Sequence, residues 1–144
     1  MNFRCVLLVV LMVVTNTVNA SDLGEKVNQY FKAQIAVEHK DSTKADVQSL
    51  LSLLAEDATF EHPRYNAVQT KAEYKKGLLY YLGKYGKCDI NISNTIVGLN
   101  AVTVEYTHPC IEQDGTMDTE SNAQKLVTLF EFKDGKIALI RHYF

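Results

Sequence analysis

Three helices precede the strands in the pattern of apolar and polar positions along this chain. Apolar side chains in residues 22–38 recur at helical spacing, which predicts an amphipathic helix. Two later apolar stripes each begin at a capping box, a threonine followed three residues later by an acid, at Thr43 and at Thr70. These patterns predict a second and a third helix. We expect the third to run through Tyr85, with its aromatic stripe in the core, and to stop at Gly86.

Four long strands are predicted after the third helix, because the apolar period there changes from 3.6 to 2. The first alternates Ile92 and Ile96 with polar residues, as a half-buried strand does, and the last two meet at Asp134-Gly135, a strong hairpin signal. An acidic segment at 112–121 separates the two hairpins. A calcium loop is the alternative to a solvated loop there, but the acids lack the EF-hand spacing. The order predicts an α+β fold, with three N-terminal helices packed on an antiparallel sheet of four long strands.

The register of the first hairpin brings two cysteines together. A three-residue loop at 98–100 pairs Val97 with Ala101, and the same register places Cys88 directly opposite Cys110. Cβ atoms of directly opposed residues lie about 4.5–5.5 Å apart, close enough for local adjustment to permit a bridge. A two-residue turn would shift the register by one residue and separate the cysteines. The spacing therefore predicts a Cys88–Cys110 disulfide.

The first twenty residues have the pattern of a signal peptide. Arg4 gives a short positive region, an unbroken apolar run of nine residues covers 6–14, and small residues precede Ser21. The run is shorter than the roughly 20 apolar residues that span a bilayer, although an uncleaved anchor is the alternative. We expect a signal peptide at 1–20 and a secreted domain at 21–144 that does not enter a membrane.

Export changes how the cysteines and one asparagine are interpreted. Removal of the signal peptide also removes Cys5, which leaves an even pair of cysteines in an oxidising compartment. A metal site is the rival hypothesis for that pair, but the sequence has neither a CxxC motif nor a nearby pair of histidines. Asn91 begins the only glycosylation sequon, Asn-Ile-Ser, and is a candidate glycan site.

The composition excludes several classes of function. With 47% apolar residues, two prolines and no basic block, the chain is expected to be neither disordered nor a nucleic-acid-binding protein. Motifs for nucleotide phosphates, for a serine nucleophile and for the HExxH zinc site are absent from the sequence. The four histidines include no closely spaced ligand pair, so neither a metal nor another cofactor is predicted.

The segment at 54–63, LAEDATFEHP, is the most informative stretch of the sequence. It contains the end of a helix, the acidic pair Glu56-Asp57, a short β stretch and a turn at Pro63. A capped helix and a long meander follow, and the meander closes with FEFKDGKIALIRHYF. This order resembles the nuclear-transport-factor-2-like superfamily, and most closely its SnoaL-like and ketosteroid-isomerase-like branches. The resemblance covers residues 22–144. It implies a cone-shaped fold in which a strongly curved sheet wraps the helices and leaves an apolar pocket at its open end.

The resemblance also implies positions for chemistry. Tyr30 matches the first-helix tyrosine of the isomerases, an oxyanion donor, and His62 stands where they have a general-base Asp. Thr128 falls on the position of their second oxyanion donor, a protonated Asp. Because only one of the three catalytic residues of the isomerases, the tyrosine, is present in this sequence, we do not expect the chain to isomerise steroids by their mechanism. His62 and Tyr30 remain the candidate catalytic residues, since a neutral imidazole can accept a proton where the relatives use Asp.

Strand alternation predicts which other polar side chains line the pocket mouth. If the phenylalanines of the last hairpin face the helices, the inward set contains Tyr106, His108, Thr128, Arg141 and Tyr143. Each has a plainer interpretation beside the functional one. His62 could cap a backbone turn, His108 could be a packed strand residue, and Arg141 could pair with a nearby acid.

Three functions are compatible with these features. The leading one is an exported domain that binds a mostly hydrophobic small molecule bearing a polar group. The second is an enzyme that uses His62 as a base to isomerise, cyclise or hydrate a hydrophobic carbonyl compound. The third is a protein-interaction module that uses the outer sheet face. A homodimer is expected through the same outer face, whose last hairpin is predicted to present Val127, Leu129, Ile140 and His142.

Overall fold

A computed structural model describes residues 20–117 and 119–144 of the chain. The predicted signal peptide, apart from Ala20, lies outside the described residues. In the described part, no helix is both long and apolar enough to cross a membrane. The helices are α1 (Ala20–Glu38), α2 (Lys44–Ser52), α3 (Lys71–Tyr80) and α4 (Thr119–Ala123). The strands are β1 (Leu54–His62), β2 (Ala67–Thr70), β3 (Tyr85–Cys88), β4 (Asn91–Val97), β5 (Ala101–Thr107), β6 (Cys110–Glu112), β7 (Leu126–Lys133) and β8 (Lys136–Tyr143).

Both predicted capping boxes are present, and both start the helices that they predict. The Asp46 carboxylate accepts a hydrogen bond from the backbone of Thr43 at 2.7 Å, at the start of α2. At the start of α3, the Thr70 backbone donates to Glu73 at 2.8 Å, and the Thr70 hydroxyl accepts from the Glu73 backbone. Each box satisfies backbone donors that would otherwise lack partners in the first helical turn.

The third helix is shorter than predicted, and Gly86 has a different role. The helix ends at Tyr80 because Gly83 follows in the left-handed region (φ 72°), from which its N–H donates to Val37 O at 3.0 Å. Gly86 lies in β3, where a Cβ atom would meet the carbonyl oxygen of Glu112 at 2.9 Å. The predicted stop signal is therefore a residue that lets two strands approach closely.

The α+β cone fold is confirmed, but the sheet has more than four strands. Its six strands run in the order β2-β1-β8-β7-β5-β4, and β1 is parallel to β8, so the sheet is mixed rather than purely antiparallel. Strands β3 and β6 form a separate two-stranded ribbon. The helices pack on the concave face, where the core is centred on Phe130, Leu23, Leu50 and Ile137.

Strand β4 does not have its predicted burial. All seven of its residues are exposed, and Ile96 is 63% exposed. The strand lies at the edge of the sheet, where its neighbour β5 takes the buried positions: Val102, Val104 and Tyr106 point inward. Alternation correctly predicted the strand, but only packing decides whether its apolar face is covered.

The first hairpin has a different turn from the predicted one, yet the cysteines are paired. The turn pairs Val97 with Val102, which shifts the register by one residue, and a bulge at Ser93 shifts it back. The ladder then breaks before Pro109, which has no N–H to donate, and resumes in the β3–β6 ribbon. Cys88 and Cys110 are directly opposed there, with Cα atoms 4.2 Å apart, and form the predicted disulfide.

The last hairpin has the predicted Asp134-Gly135 turn but contains a bulge that the sequence pattern missed. Both turn residues have positive φ (51° and 75°), as a type I′ turn requires. Glu131 pairs with Leu139 and Phe132 with Ile137, so that Ala138 is an extra residue on β8. Every later side chain on β8 therefore points to the face opposite to the predicted one.

The disulfide closes a loop with a sequence separation of 22 residues, so its removal has a calculable effect on stability. We expect the Cys88→Ser/Cys110→Ser double variant to lose about 3 kcal/mol of unfolding free energy. In thermal melts this corresponds to roughly 10 °C. The control is wild-type protein melted with and without a reductant, which should show the same difference. Two reactive thiols in oxidised, denatured wild-type protein would contradict the bridge.

Candidate functional site

The open end of the cone contains a cavity of about 630 Å³. Helices α1 and α3 form one wall of the cavity, and the concave face of the sheet forms the opposite wall. Residues of the β3–β6 ribbon line one end of the cavity. This volume lies within the range of roughly 300–1,000 Å³ that is typical of small-molecule sites. Aromatic side chains make up much of the wall: Tyr30, Phe60, Tyr74, Tyr81, Tyr85, Tyr106 and Phe144.

Two tyrosine hydroxyls meet in the buried part of the cavity. The Oη atoms of Tyr30 and Tyr74 lie 2.5 Å apart. Tyr30 is on α1, and Tyr74, on α3, stacks on Phe60 with ring centroids 4.3 Å apart. Burial raises the pKa of both phenols well above the usual value, so both remain protonated. One hydroxyl donates to the other, and the accepting hydroxyl keeps its own proton for a further hydrogen bond.

A second polar cluster lies on the sheet floor. The hydroxyl of Thr128 is 2.8 Å from Nδ1 of His142 and 3.1 Å from the hydroxyl of Tyr106. Burial, with smaller contributions from His62 and His108, lowers the pKa of His142 to about 4. Burial likewise raises the pKa of Tyr106 to about 12. At neutral pH the whole cluster is therefore uncharged.

His62 is the imidazole with unused hydrogen-bonding capacity. It ends β1, and its ring packs edge-on against Phe60, His142 and Phe144, with centroids 4.8, 5.4 and 5.2 Å away. Burial lowers its pKa, and its Nδ1 is buried with no hydrogen-bond partner among residues 20–117 and 119–144. The side chain makes no capping bond to the 3-10 turn that follows at Pro63–Tyr65, so the turn-capping interpretation is not supported.

An acid and a histidine meet where α1 ends. Nε2 of His108 lies 2.8 Å from Oε2 of Glu38, a close contact that does not have the geometry of an aligned hydrogen bond. Gln34 donates to the other oxygen, Oε1, at 3.1 Å. Glu38 is only 8% exposed, which is unusual for a carboxylate without an arginine or lysine partner.

The cavity rim is formed by the segment after α3. Tyr81 is 43% exposed and Tyr85 starts β3, so neither belongs to the helical core stripe that was predicted for them. The ammonium group of Lys84 lies 4.8 Å from one of these rings and 5.0 Å from the other. The aromatic faces at the rim are thus already used to hold a cation.

Five of the seven predicted site residues line the cavity, namely Tyr30, His62, Tyr106, His108 and Thr128. The inward orientation predicted for Arg141 and Tyr143 was wrong, because the Ala138 bulge turns both to the outer face. Arg141 pairs there with Glu61 (Nε to Oε2, 2.6 Å), which is the plainer alternative considered for it. Asn91, the sequon residue, is exposed on β4.

The site also contains residues that sequence reasoning missed. His142 was assigned to the outer face, and only the bulge reveals that it points inward. Ile140 is inward for the same reason and is 1% exposed. The sequence pattern could have identified Glu38 as a candidate site residue. It follows Gln34 by four residues on the face of α1 that is predicted to be buried, where an acidic residue is unusual.

Comparisons with known proteins agree with this architecture. The family described as the SnoaL-like domain matches residues 27–140. No curated protein sequence matches the chain.

Among solved structures, an LEH-like epoxide hydrolase from M. tuberculosis is similar with a TM-score of 0.62 and 19% identity, over 86% of this chain and 83% of that one. TerC, co-crystallised with polyporic acid, has a TM-score of 0.63 and 18% identity, over 85% and 91%. A protein with a ketosteroid isomerase-like fold from Catenulispora acidiphila, in complex with trimethylamine, has a TM-score of 0.60 and 15% identity, over 83% and 85%. At these identities the structures establish the fold. Because the family match spans most of the sequence, the chain belongs to the SnoaL-like domain family.

Proposed function

We propose that this chain binds a mostly apolar small molecule carrying one uncharged polar group, inside the cone. The observation that carries the proposal is the unpartnered Nδ1 of His62, buried in the wall of a cavity of about 630 Å³. A buried polar atom without a partner is costly, and a ligand carbonyl or hydroxyl that reaches it removes that cost. The cavity size favours this function over a module that works only through its outer surface.

The charge distribution in the cavity supports an uncharged polar group on the ligand. The histidines with lowered pKa are neutral, the tyrosines are protonated, and the Glu38 carboxylate already contacts His108. Among the described residues no guanidinium lines the wall, since Arg141 faces outward, and the Lys84 ammonium group lies at the rim against two aromatic rings. A ligand carboxylate deep in the cavity would therefore lack an adjacent cation. Two relatives of similar fold were crystallised with small molecules, polyporic acid and trimethylamine, which supports small-molecule binding in general.

Catalysis by His62 is the second candidate function. Burial lowers the pKa of this imidazole, so it is neutral and able to accept a proton from carbon or water at neutral pH. The Tyr30–Tyr74 pair keeps one free hydroxyl proton, which could stabilise the oxyanion that forms on the substrate. The Thr128 hydroxyl is engaged with His142, so oxyanion stabilisation would be weaker than with two donors. A slow reaction on a hydrophobic carbonyl compound is therefore expected if the chain is an enzyme.

We further propose that the mature chain is a secreted homodimer. The outer face of β7 and β8 presents Val127, Leu129 and Leu139, which are half-buried, and Tyr143, which is exposed. This set replaces the predicted one, because Ile140 and His142 point inward. The Glu61–Arg141 ion pair lies on the same face and would contribute polar contacts at such an interface.

Mass spectrometry of protein purified from its source tests these proposals together. Under native conditions we expect a dimer that retains a small molecule. Under denaturing conditions the mass should correspond to residues 21–144 with one disulfide, plus a glycan if Asn91 is modified. A mass that includes residues 1–20 would contradict export by signal cleavage. A ligand-free monomer at high micromolar concentration would contradict the dimer and remove the direct support for a ligand.

Substitution of His62 tests the role of its imidazole. The probes are a panel of hydrophobic ketones and lactones. We expect His62→Ala to bind them about tenfold more weakly than wild type, because the variant loses one hydrogen bond to the ligand. Tyr30→Phe should weaken binding less, because Tyr74 keeps a hydroxyl in place. The matched control is His39→Ala, at a half-exposed histidine outside the cavity. If His62→Ala and His39→Ala bind and turn over every probe as wild type does, His62 is not part of the site.

The lowered pKa of His142 predicts a specific pH dependence of stability. Between pH 6.5 and pH 4 the unfolded chain binds a proton at this position that the folded chain does not, so stability falls as the pH falls. The contribution is at most about 1.4 kcal/mol per pH unit. Urea unfolding at several pH values in this window should therefore show a shallower slope for His142→Gln than for wild type. A variant slope equal to that of wild type, with His39→Gln as the control, would show that His142 ionises normally.

A further inference from the structure

We propose that, when the Cys88–Cys110 bridge is reduced, the two thiolates together with His108 and Glu38 bind a structural Zn²⁺ ion. Each of the four residues offers one ligand atom, and these atoms lie within 4.8 Å of one another. The cluster joins the end of α1 to the β3–β6 ribbon and to the segment after β5. Two thiolates with an imidazole and a carboxylate form a donor set that suits zinc.

The distances between the donors are close to those of a tetrahedral site. Zinc binds sulfur at about 2.3 Å and nitrogen or oxygen at about 2.0–2.2 Å, so its ligand atoms are separated by roughly 3.3–3.8 Å. Nε2 of His108 already lies 3.6 Å from Sγ of Cys110 and 2.8 Å from Oε2 of Glu38. All four donor atoms lie within 4.8 Å of one another, and the two sulfur atoms, bonded at 2.04 Å, are free to separate once their bond is broken.

The carboxylate of Glu38 is an independent indication of a missing partner. Glu38 is 8% exposed, and its Oε2 atom is buried without an aligned hydrogen-bond donor among the described residues. Gln34 holds Oε1 at 3.1 Å, which fixes the carboxylate with Oε2 towards His108. A metal ion satisfies such an oxygen and compensates for the burial of its charge.

The backbone around the cysteines is held by contacts that do not depend on the disulfide. The side chain of Asn122 accepts from the Cys110 N–H at 2.9 Å and donates to the Cys110 carbonyl at 2.8 Å. The β3–β6 ladder and the bond from Asp89 N to Pro109 O, at 2.9 Å, support the same region. The ligands therefore remain close together after reduction.

The change between the two states balances with a dithiol as reductant. The S–S bond breaks, the protein gains two electrons and two protons as two thiols, and the dithiol leaves as its own disulfide. Zinc binding then releases both thiol protons, since the metal takes thiolates. All four coordination positions are filled by protein atoms, so the site stabilises the fold and leaves no position for a substrate.

Metal titration of the full mature chain tests this proposal. Protein reduced with a phosphine under anaerobic conditions should bind one Zn²⁺ per chain in competition with a chromophoric chelator, whereas oxidised protein should bind none. Cobalt in place of zinc should show the visible bands of a tetrahedral site together with a sulfur-to-cobalt charge-transfer band. Circular dichroism of each sample shows whether the reduced chain is folded before and after the metal is added.

Variants separate this site from binding by two cysteines alone. We expect Cys88→Ser, His108→Gln and Glu38→Gln each to lower zinc affinity by at least about 100-fold, because loss of even an outer-shell partner costs 10–100-fold. His39→Gln, at a half-exposed neighbouring histidine outside the cluster, should bind as wild type does. Zinc affinity and a cobalt spectrum that are unchanged in His108→Gln and Glu38→Gln would overturn the proposal. A reduced chain that is unfolded and does not refold with zinc would also overturn it.

Discussion

The fold depends on how α1 packs against the concave face of the sheet. Phe130, fully buried on β7, makes edge-to-face contacts with Tyr30 and Phe31, at centroid distances of 5.1 and 5.6 Å. Phe31 also contacts Tyr106 at 4.8 Å, so that one aromatic group joins the helix to two strands. Such pairs add to the free energy gained from burying their area. This group fills the cone on one side of Tyr30 and leaves the space beyond it open as the cavity.

The cavity combines aromatic walls with polar groups that carry little charge. Its histidines with lowered pKa are neutral and its buried phenols are protonated, in each case because burial disfavours the charged form. The hydroxyls of Tyr30 and Tyr74 bond to each other and leave one proton free, and the Thr128 hydroxyl bonds to His142. Among the described residues that line the cavity, His62 and Glu38 each have a buried side-chain atom without a hydrogen-bond partner, which a ligand or a metal could satisfy.

Local patterns in the sequence were sufficient for most of the fold. The capping boxes at Thr43 and Thr70 located two helices, and the Asp134-Gly135 turn located the last hairpin, because each depends on residues close together in the chain. Bulges are less visible, since one extra residue leaves no local signature. The bulge at Ser93 compensated for the misjudged turn and preserved the predicted disulfide. No second bulge compensates for the one at Ala138 in β8. Arg141, which was predicted to point inward, therefore points outward, and His142, which was predicted to point outward, points inward.

Ala138 also shows how a single bulge in a strand can decide the chemistry of a cavity. Deleting this residue would leave the later side chains of β8 on their present faces, because Leu139 already pairs with Glu131. If Ala138 instead took a regular place in the ladder opposite Glu131, every later residue would move one position along β7. Arg141 and Tyr143 would then turn towards the helices, and His142 would turn outward. The cavity would exchange a neutral imidazole for a permanent positive charge without any substitution among its lining residues. Loss of the bulge with all residues of β8 kept would thus exchange the side chains that a ligand meets. In related sequences, the presence or absence of a bulge between the Asp-Gly turn and the final aromatic positions is therefore as informative about the site as the identity of the residues that line it.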